Sequence, residues 1–247
     1  MRIKAWLILS AIFLGITCMV YAAHLDDFNG TKLSSIWTYR DPKGNGKYKL
    51  EDGKLILDLK AFSDMYKQGV DGGVMFLIDP PDMVDFSIEM LINVAVKGTQ
   101  PPSTHAGIVF FNEDKWAYSI WGPYTARDIR VEDCVGQDYR WRDQAQIGVD
   151  LPDVAIDQDV YLKVVKTGKK LEFFAKGSSD EDWVSGGVDE KLGPYYKPGE
   201  YQVGMAFKSW SGSVDSTFEV EYFDIPELST AVDPKGKLAT TWASVKR

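Results

Sequence analysis

The sequence predicts an all-β protein, an antiparallel β-sandwich in which two stacked sheets form a jelly roll. Apolar and polar residues alternate in short runs from Lys47 onward, and turn residues interrupt these runs about every eight to twelve positions. Helical periodicity is almost absent from the same region. About a dozen such runs are too many strands for one open sheet, so we expect two sheets whose apolar faces pack together.

The first two predicted strands form a hairpin. Residues 47–51 and 54–59 flank Asp52-Gly53, a dipeptide that suits the positive φ angles of a two-residue turn. The remaining predicted strands are 73–78, 86–95, 106–111, 116–121, 127–133, 160–166, 171–176, 200–208 and 217–225. Because no internal repeat or linker rich in proline and glycine divides this region, we predict one domain over about 24–226.

The N-terminus has the features of a secretory signal peptide. Two basic residues precede the uncharged apolar run 5–17. In Val20-Tyr21-Ala22, the small residues Val20 and Ala22 occupy positions −3 and −1 of a cleavage site. Removal of residues 1–22 gives a mature chain that starts near Ala23, lies in the periplasm or outside the cell, and has no membrane contact. A retained anchor is the alternative, because residues 5–23 are almost long enough to span a bilayer.

The C-terminal tail, residues 227–247, follows the last predicted strand. Asp233-Pro234 can begin a helix as its cap and first residue, and Leu238, Trp242 and Val245 then lie on one stripe. We expect this short helix to pack on the domain. A docking or sorting tag is the alternative.

Composition excludes several classes of protein. The chain has 28 basic and 36 acidic residues, a net charge of −8, so it repels phosphate backbones and is not expected to bind nucleic acid. Its two cysteines cannot hold a disulfide-rich scaffold, and a hydrophobic core must stabilise the fold. Cys18 lies in the predicted signal peptide, and Cys134 is expected to be buried as a small apolar residue. The sequence predicts no oligomeric state.

Several strings resemble the concanavalin A-like lectin/glucanase superfamily. The segment 26–31, followed by Leu33 and Trp37, is similar to the opening of many bacterial domains of that group. Later strings occur in the same order: 106–110 before Trp116, 160–164 before Phe173-Phe174 and Trp183, and 199–204 before 218–225. The similarity is closest to non-catalytic modules that are appended to bacterial glycosidases or found alone in secreted proteins. This resemblance implies a convex and a concave sheet, sugar binding across the concave face, and often a structural calcium ion.

The residues favour binding over catalysis. Glucanases of this superfamily carry Glu-x-Asp-x-Glu on one strand, a pattern that is missing here. The nearest approach is Glu219-Val220-Glu221, which a solvated strand edge explains better. Motifs for a nucleophilic serine, a zinc-binding histidine pair and a phosphate loop are missing as well. We predict a secreted, non-catalytic, lectin-like domain, with a glycoside hydrolase and a structural or adhesive protein-binding domain as alternatives.

One segment supplies the residues that sugars need. Pyranose faces stack on aromatic rings, whereas sugar hydroxyls need charged or amide partners. The predicted ligand site comprises Trp121, Tyr124, Arg127, Arg130, Tyr139, Arg140, Trp141 and Arg142. Trp116 and Tyr118 share one strand face and are equally compatible with the core or the site. An oligo- or polysaccharide is the predicted partner, and the arginines suggest an acidic one. The alternative is that the arginines stack on the rings without any ligand.

The alternation of residues in the last predicted strand suggests a calcium site. Phe218, Val220, Tyr222 and Asp224 have the same parity, so an inward-facing apolar set would aim Asp224 inward as well. A buried carboxylate needs a partner, which backbone amides or a cation would supply. The predicted calcium ligands are Asp26, Asp27 and Asp224, because a jelly roll brings its first segment beside its last strand.

Overall fold

The computed structural model describes residues 24–66, 69–80, 85–96, 103–124, 128–137, 139–141, 147–151, 157–191, 194–210 and 214–229. The predicted signal peptide and the predicted helix after Asp233 lie outside these residues. The described elements are β1 (Thr38–Arg40), β2 (Gly46–Glu51), β3 (Lys54–Leu59), β4 (Val74–Ile78), β5 (Phe86–Val96), β6 (Thr104–Asn112), β7 (Ala117–Tyr124), β8 (Asp128–Val135), β9 (Arg140–Trp141), β10 (Gly148–Asp150), β11 (Asp159–Thr167), β12 (Lys170–Lys176), β13 (Val184–Asp189), β14 (Gln202–Ser209), β15 (Ser216–Asp224) and α1 (Pro226–Ser229).

The strands form two antiparallel sheets, which confirms the predicted β-sandwich. The front sheet has the order β1-β4-β14-β6-β7-β8-β10, with β9 paired to β8, and the back sheet has the order β13-β12-β11-β5-β15-β3-β2. Every predicted strand has a counterpart in these sheets. Four further strands, β1, β9, β10 and β13, lie at sheet edges or beside the main path, where short or glycine-containing segments show no alternation.

The predicted hairpin is confirmed in detail. The strands β2 and β3 pair from Gly46 with Leu59 to Glu51 with Lys54. Asp52 and Gly53 have φ angles of 52° and 72°, as a two-residue turn of the right twist requires.

The main core lies between the sheets. Leu55 and Leu57 of the back sheet and Phe76 and Phe207 of the front sheet are fully buried in it. Side chains of opposite parity project away from the core, so the front sheet has an outer face of its own.

A second apolar cluster covers the outer face of the front sheet. Its members are Met65, Val70, Met75, Leu77, Val109, Phe111, Tyr118, Ile120, Cys134, Tyr139 and Ala206. Met65 and Val70 belong to residues 61–66 and 69–73 between β3 and β4, which we call the strap. The strap therefore lies across the outer face. Cys134 is buried beneath it as a free thiol, as expected of a small apolar residue.

Hydrogen bonds attach the strap at several points. The Ser209 amide donates to the Ser63 carbonyl at 3.0 Å. The Tyr118 hydroxyl lies 2.6 Å from the Met65 carbonyl, and the Asn45 side-chain amide donates to the Gly72 carbonyl at 2.8 Å.

Among the described residues, no helix is long and apolar enough to cross a membrane.

Candidate functional site

A pocket of about 220 Å³ lies on the outer face of the front sheet, where the strap forms one wall. The strap, β7, β8, β14 and the residue after β14 contribute its lining: Asp64, Tyr66, Tyr124, Arg130, Val131, Glu132, Lys208 and Trp210.

Strand register brings the polar residues of the pocket together. Lys208 of β14 pairs with His105 of β6, which pairs with Tyr124 of β7. Glu132 lies on β8, three strands from β14, and four positions along β8 from Asp128, which faces Tyr124 in the row of Lys208. The long Lys208 and Glu132 side chains span this separation and meet above β6 and β7.

Two glycines lie between the joined side chains. Gly107 of β6 and Gly122 of β7 occupy facing positions on these neighbouring strands. A Cβ at Gly122 would lie 1.9 Å from the Ala106 carbonyl oxygen, and a Cβ at Gly107 would lie 2.1 Å from the Trp121 carbonyl oxygen. Only glycine fits at these positions, so the surface of the sheet between the Lys208 and Glu132 side chains consists of backbone alone.

Glu132 is the centre of a buried polar network. Lys208 Nζ donates to Glu132 Oε1 at 2.5 Å and to the Met65 carbonyl at 3.1 Å. The Tyr118 hydroxyl lies 2.7 Å from the same carboxylate oxygen. His105 Nδ1 is 3.8 Å from Glu132 Oε2, which is too long for a hydrogen bond, and the two groups attract as charges only when the imidazole is protonated. The network therefore joins β6, β7, β8 and β14 to the strap.

The network keeps Glu132 ionised. Burial by itself would raise the pKa of Glu132, but His105 and the charge of Lys208 outweigh burial and lower the pKa to about 2. Burial lowers the pKa of His105, which favours the neutral imidazole. Burial also raises the pKa of the Cys134 thiol to about 12, so this thiol stays protonated and unreactive.

Aromatic rings form the more accessible wall of the pocket. Tyr66, Tyr124 and Trp210 are each half-buried, and the Tyr124 and Trp210 ring centroids are 4.8 Å apart. The Arg130 guanidinium lies 4.5 Å from the Tyr124 ring centroid and pairs with Asp128. The arginine-on-ring contact named as the alternative to ligand binding therefore occurs at Tyr124, and Lys208 Nζ lies 5.2 Å from the Trp210 ring centroid.

Trp121 is not exposed, and its predicted place in the ligand site is wrong. Its side chain is 1% exposed and belongs to the core between the sheets. Its indole Nε1 donates to the Phe174 carbonyl of the back sheet at 2.9 Å. Strand alternation explains the correction, because Trp121 has the parity opposite to that of Tyr124.

The other predicted ligand residues are spread along the sheet. Tyr139 is buried in the second cluster and contacts Trp116, an exposed ring at the opposite end of β7 from the pocket. Tyr118 is buried as well. The predicted residues Arg127 and Arg142, and the side chains of Arg140 and Trp141, lie outside the described part of the chain. Of the predicted residues whose side chains the structure describes, Tyr124 and Arg130 line the pocket.

Most residues that line the pocket were not predicted as ligand residues from the sequence, namely Asp64, Tyr66, Val131, Glu132, Lys208 and Trp210. One available signal was Lys208, a lysine directly after the apolar run 203–207. Another was Glu132, an acid inside the predicted strand 127–133. The strap itself carries no periodic pattern.

A β-bulge interrupts the alternation of the last strand on which the predicted calcium site depends. The register of β15 against β5 shifts between Val220 and Tyr222, which leaves Glu221 as the extra residue. Phe223 therefore faces the core instead of Tyr222, which stacks on His24 with ring centroids 4.1 Å apart. Asp224 consequently does not lie on the core-facing set of β15.

The first segment does lie beside the last strand, as predicted, through reciprocal backbone hydrogen bonds of Asp26 with Phe223 at 3.0 Å. The carboxylates there are already satisfied, since Asp26 accepts from Trp37 Nε1 at 2.7 Å and Asp224 accepts from the Leu25 amide at 2.9 Å. Asp27 accepts from the Asn29 amide. Among the described residues, which include these three aspartates, no three metal-ligating side chains are grouped to hold an ion, and the calcium ion itself stays a prediction.

Comparison with solved structures shows the fold. A functionally unknown protein from Saccharomyces cerevisiae is 14% identical with a TM-score of 0.56, over 77% of this chain and 96% of that one. A GH43 protein from Bacillus licheniformis is 15% identical with a TM-score of 0.61, over 81% of this chain and 38% of that one. A xylan β-1,4-xylosidase from Bacillus halodurans is 17% identical with a TM-score of 0.54, over 82% and 39%.

The chain thus spans about two fifths of each of these two glycosidase chains. No protein-family model and no curated protein matches the sequence.

Proposed function

We propose that the protein binds an uncharged oligo- or polysaccharide in the outer-face pocket without cleaving it. The observation that carries the proposal is the lining, in which half-buried rings stand beside buried polar groups of fixed geometry. Rings offer stacking to the apolar faces of a sugar, and the charged groups offer hydrogen bonds to its hydroxyls.

Charge pairing within the pocket favours an uncharged sugar over the acidic one suggested by the arginines. Lys208 is paired with Glu132 and lies 3.4 Å from Asp64, and Arg130 is paired with Asp128. Neither cation is left for a carboxylate or sulfate of a ligand. An anionic sugar would have to displace one of these internal partners.

The chemistry of Glu132 argues against a role as the proton donor of a hydrolase. Glycosidase catalysis needs one carboxyl group that holds its proton until it donates it, which requires a raised pKa. The pKa of Glu132 is lowered instead, and one of its oxygens accepts from Lys208. Glu219 and Glu221, the nearest approach to the glucanase pattern, both pair with Lys54 at 3.1 Å on the other sheet.

The similar folds among GH43 proteins lend support to a carbohydrate ligand and suggest which probes to use. The name of the Bacillus halodurans structure mentions xylan, and that of a similar GH43 structure from Bacteroides ovatus mentions xyloglucan, so oligosaccharides of xylose and glucose are the first choice. We further propose that the chain belongs to the concanavalin A-like superfamily and acts outside the cytoplasm, in keeping with its N-terminal sequence.

Replacing Trp210 with alanine is expected to raise the Kd for xylohexaose or cellohexaose at least about tenfold, which corresponds to about 1.4 kcal/mol. The ring is half-buried at the end of β14, so its loss removes stacking surface from the pocket. We expect the free energy of unfolding to fall by less than about 2 kcal/mol, because no core packing is lost. Titration calorimetry measures the first quantity and urea denaturation the second.

The matched control is Trp116→Ala, which removes an exposed ring at the far end of β7 and should leave the Kd unchanged. An equal loss of sugar affinity in Trp210→Ala and Trp116→Ala would contradict the proposal. So would a wild type that binds no uncharged oligosaccharide. Release of shorter sugars from the probe would identify a hydrolase and would also contradict it.

A further inference from the structure

We infer that the pocket takes the terminal unit of a glycan chain and does not accept an internal stretch of chain. This inference rests on the proposed carbohydrate binding and adds the mode of recognition. It follows from where the strap lies, how firmly it is held and how much room it leaves.

The strap blocks the path along the outer face of the front sheet. An extended glycan that crosses a sheet needs a continuous open surface, but the middle of this face is buried. Val109, Tyr118 and Ile120 are fully buried beneath Met65 and Val70 of the strap. A chain that enters the pocket from its open side therefore meets a wall made by Asp64 and Tyr66.

The strap is held in place by contacts with the sheet, so we do not expect a bound sugar to displace it. Its Met65 carbonyl lies within hydrogen-bond distance of Lys208 Nζ and the Tyr118 hydroxyl, both of which also contact Glu132. At its other end, Arg40 pairs with Asp71 at 2.8 Å. Displacing the strap would expose the second apolar cluster and would leave a buried lysine without its backbone acceptor.

The size of the pocket agrees with one bound unit. Its volume of about 220 Å³ lies below the roughly 300–1,000 Å³ of sites that enclose drug-sized ligands. This is room for about one sugar ring against Trp210, while the following units extend away from the protein.

The exposed Trp116 cannot continue the same binding track. It lies eight residues from Tyr124 along β7, roughly 26 Å at the usual rise of a strand. Between the two rings the outer face is covered by the strap. The aromatic residues that the sequence places in one cluster thus lie on two sides of a barrier.

Titration calorimetry with chains of increasing length tests the inference. The probes are xylobiose, xylotriose, xylohexaose and linear β-1,4-xylan, with the matching cello-oligosaccharides as a second series. We expect the Kd per mole of chain to change by less than about threefold from the disaccharide to the hexasaccharide. On the long xylan, we expect one bound protein per chain.

An internal-chain binder would behave differently. Its Kd would fall by about tenfold or more with length, and several proteins would bind each long chain. That result, with binding still sensitive to Trp210→Ala and not to Trp116→Ala, would overturn end recognition and leave the proposed function standing. Loss of binding in Trp116→Ala with the longest chains would also overturn it. No binding by either series would overturn both proposals.

Discussion

Replacing Trp121 with alanine is expected to lower the free energy of unfolding by about 3–5 kcal/mol, the usual cost of truncating a buried tryptophan. Its ring packs on Phe173 of the back sheet with centroids 5.4 Å apart, and its Nε1 donates to the Phe174 carbonyl. The edge strand β13 packs directly against the Trp121 ring, since a Cβ at Gly186 would lie 2.4 Å from the nearest atom of the ring. The variant therefore loses packing at the contact that joins the two sheets.

Urea denaturation of Trp121→Ala measures this loss. Trp116→Ala serves as the matched control and should cost less than about 1 kcal/mol, because its ring is 46% exposed. A small loss of stability together with weakened sugar binding in Trp121→Ala would contradict the structural role and return Trp121 to the ligand site.

Replacing Glu132 with glutamine is expected to lower the free energy of unfolding by about 3 kcal/mol, because it removes the closer of the two carboxylates that pair with a buried ammonium. Lys208 is 2% exposed, and its other contacts include the Met65 carbonyl, Asp64 at 3.4 Å and the Trp210 ring. The second substitution Lys208→Met removes the buried charge, so the double variant should be more stable than Glu132→Gln alone. A single variant as stable as the wild type would show that the ion pair does not hold the strap.

The pH dependence of stability reports the same group independently. Because the pKa of Glu132 is lowered in the folded protein to about 2, its contribution is complete above the pKa of the unfolded chain. That contribution, about 3 kcal/mol, is lost as the pH falls from about 4.5 to 2. In this range, the free energy of unfolding from denaturation curves should fall more steeply with decreasing pH for the wild type than for Glu132→Gln. Identical profiles would contradict the assignment.

The sheets could be predicted from the sequence because strand alternation follows from backbone geometry alone. The strands β3 and β11 alternate between buried and half-buried or exposed residues along their length, and both match predicted runs. The register of β15 could not be read in the same way. A single extra residue at Glu221 reverses the parity beyond it, and no local pattern marks that residue.

The pocket was harder to predict, because both faces of the front sheet are covered. Every residue of β6 is buried, so alternation separates two faces but does not tell which one meets the other sheet. Trp121 and Tyr124 therefore could not be assigned to the core and the pocket by parity alone. The covering strap comes from an irregular segment, and its contacts with Tyr118 and Lys208 join residues 53 and 143 positions apart in the chain.

The most direct test of carbohydrate binding in the pocket follows the indole N–H signals of the tryptophans by NMR as xylohexaose or cellohexaose is added. Each tryptophan contributes one such signal, and Trp210→Phe identifies the one from the pocket. We expect the Trp210 signal to shift and saturate, while the signals of Trp116 and the buried Trp121 stay in place. A shift of the Trp116 signal with an unmoved Trp210 signal, or no shift with any sugar probe, would contradict it.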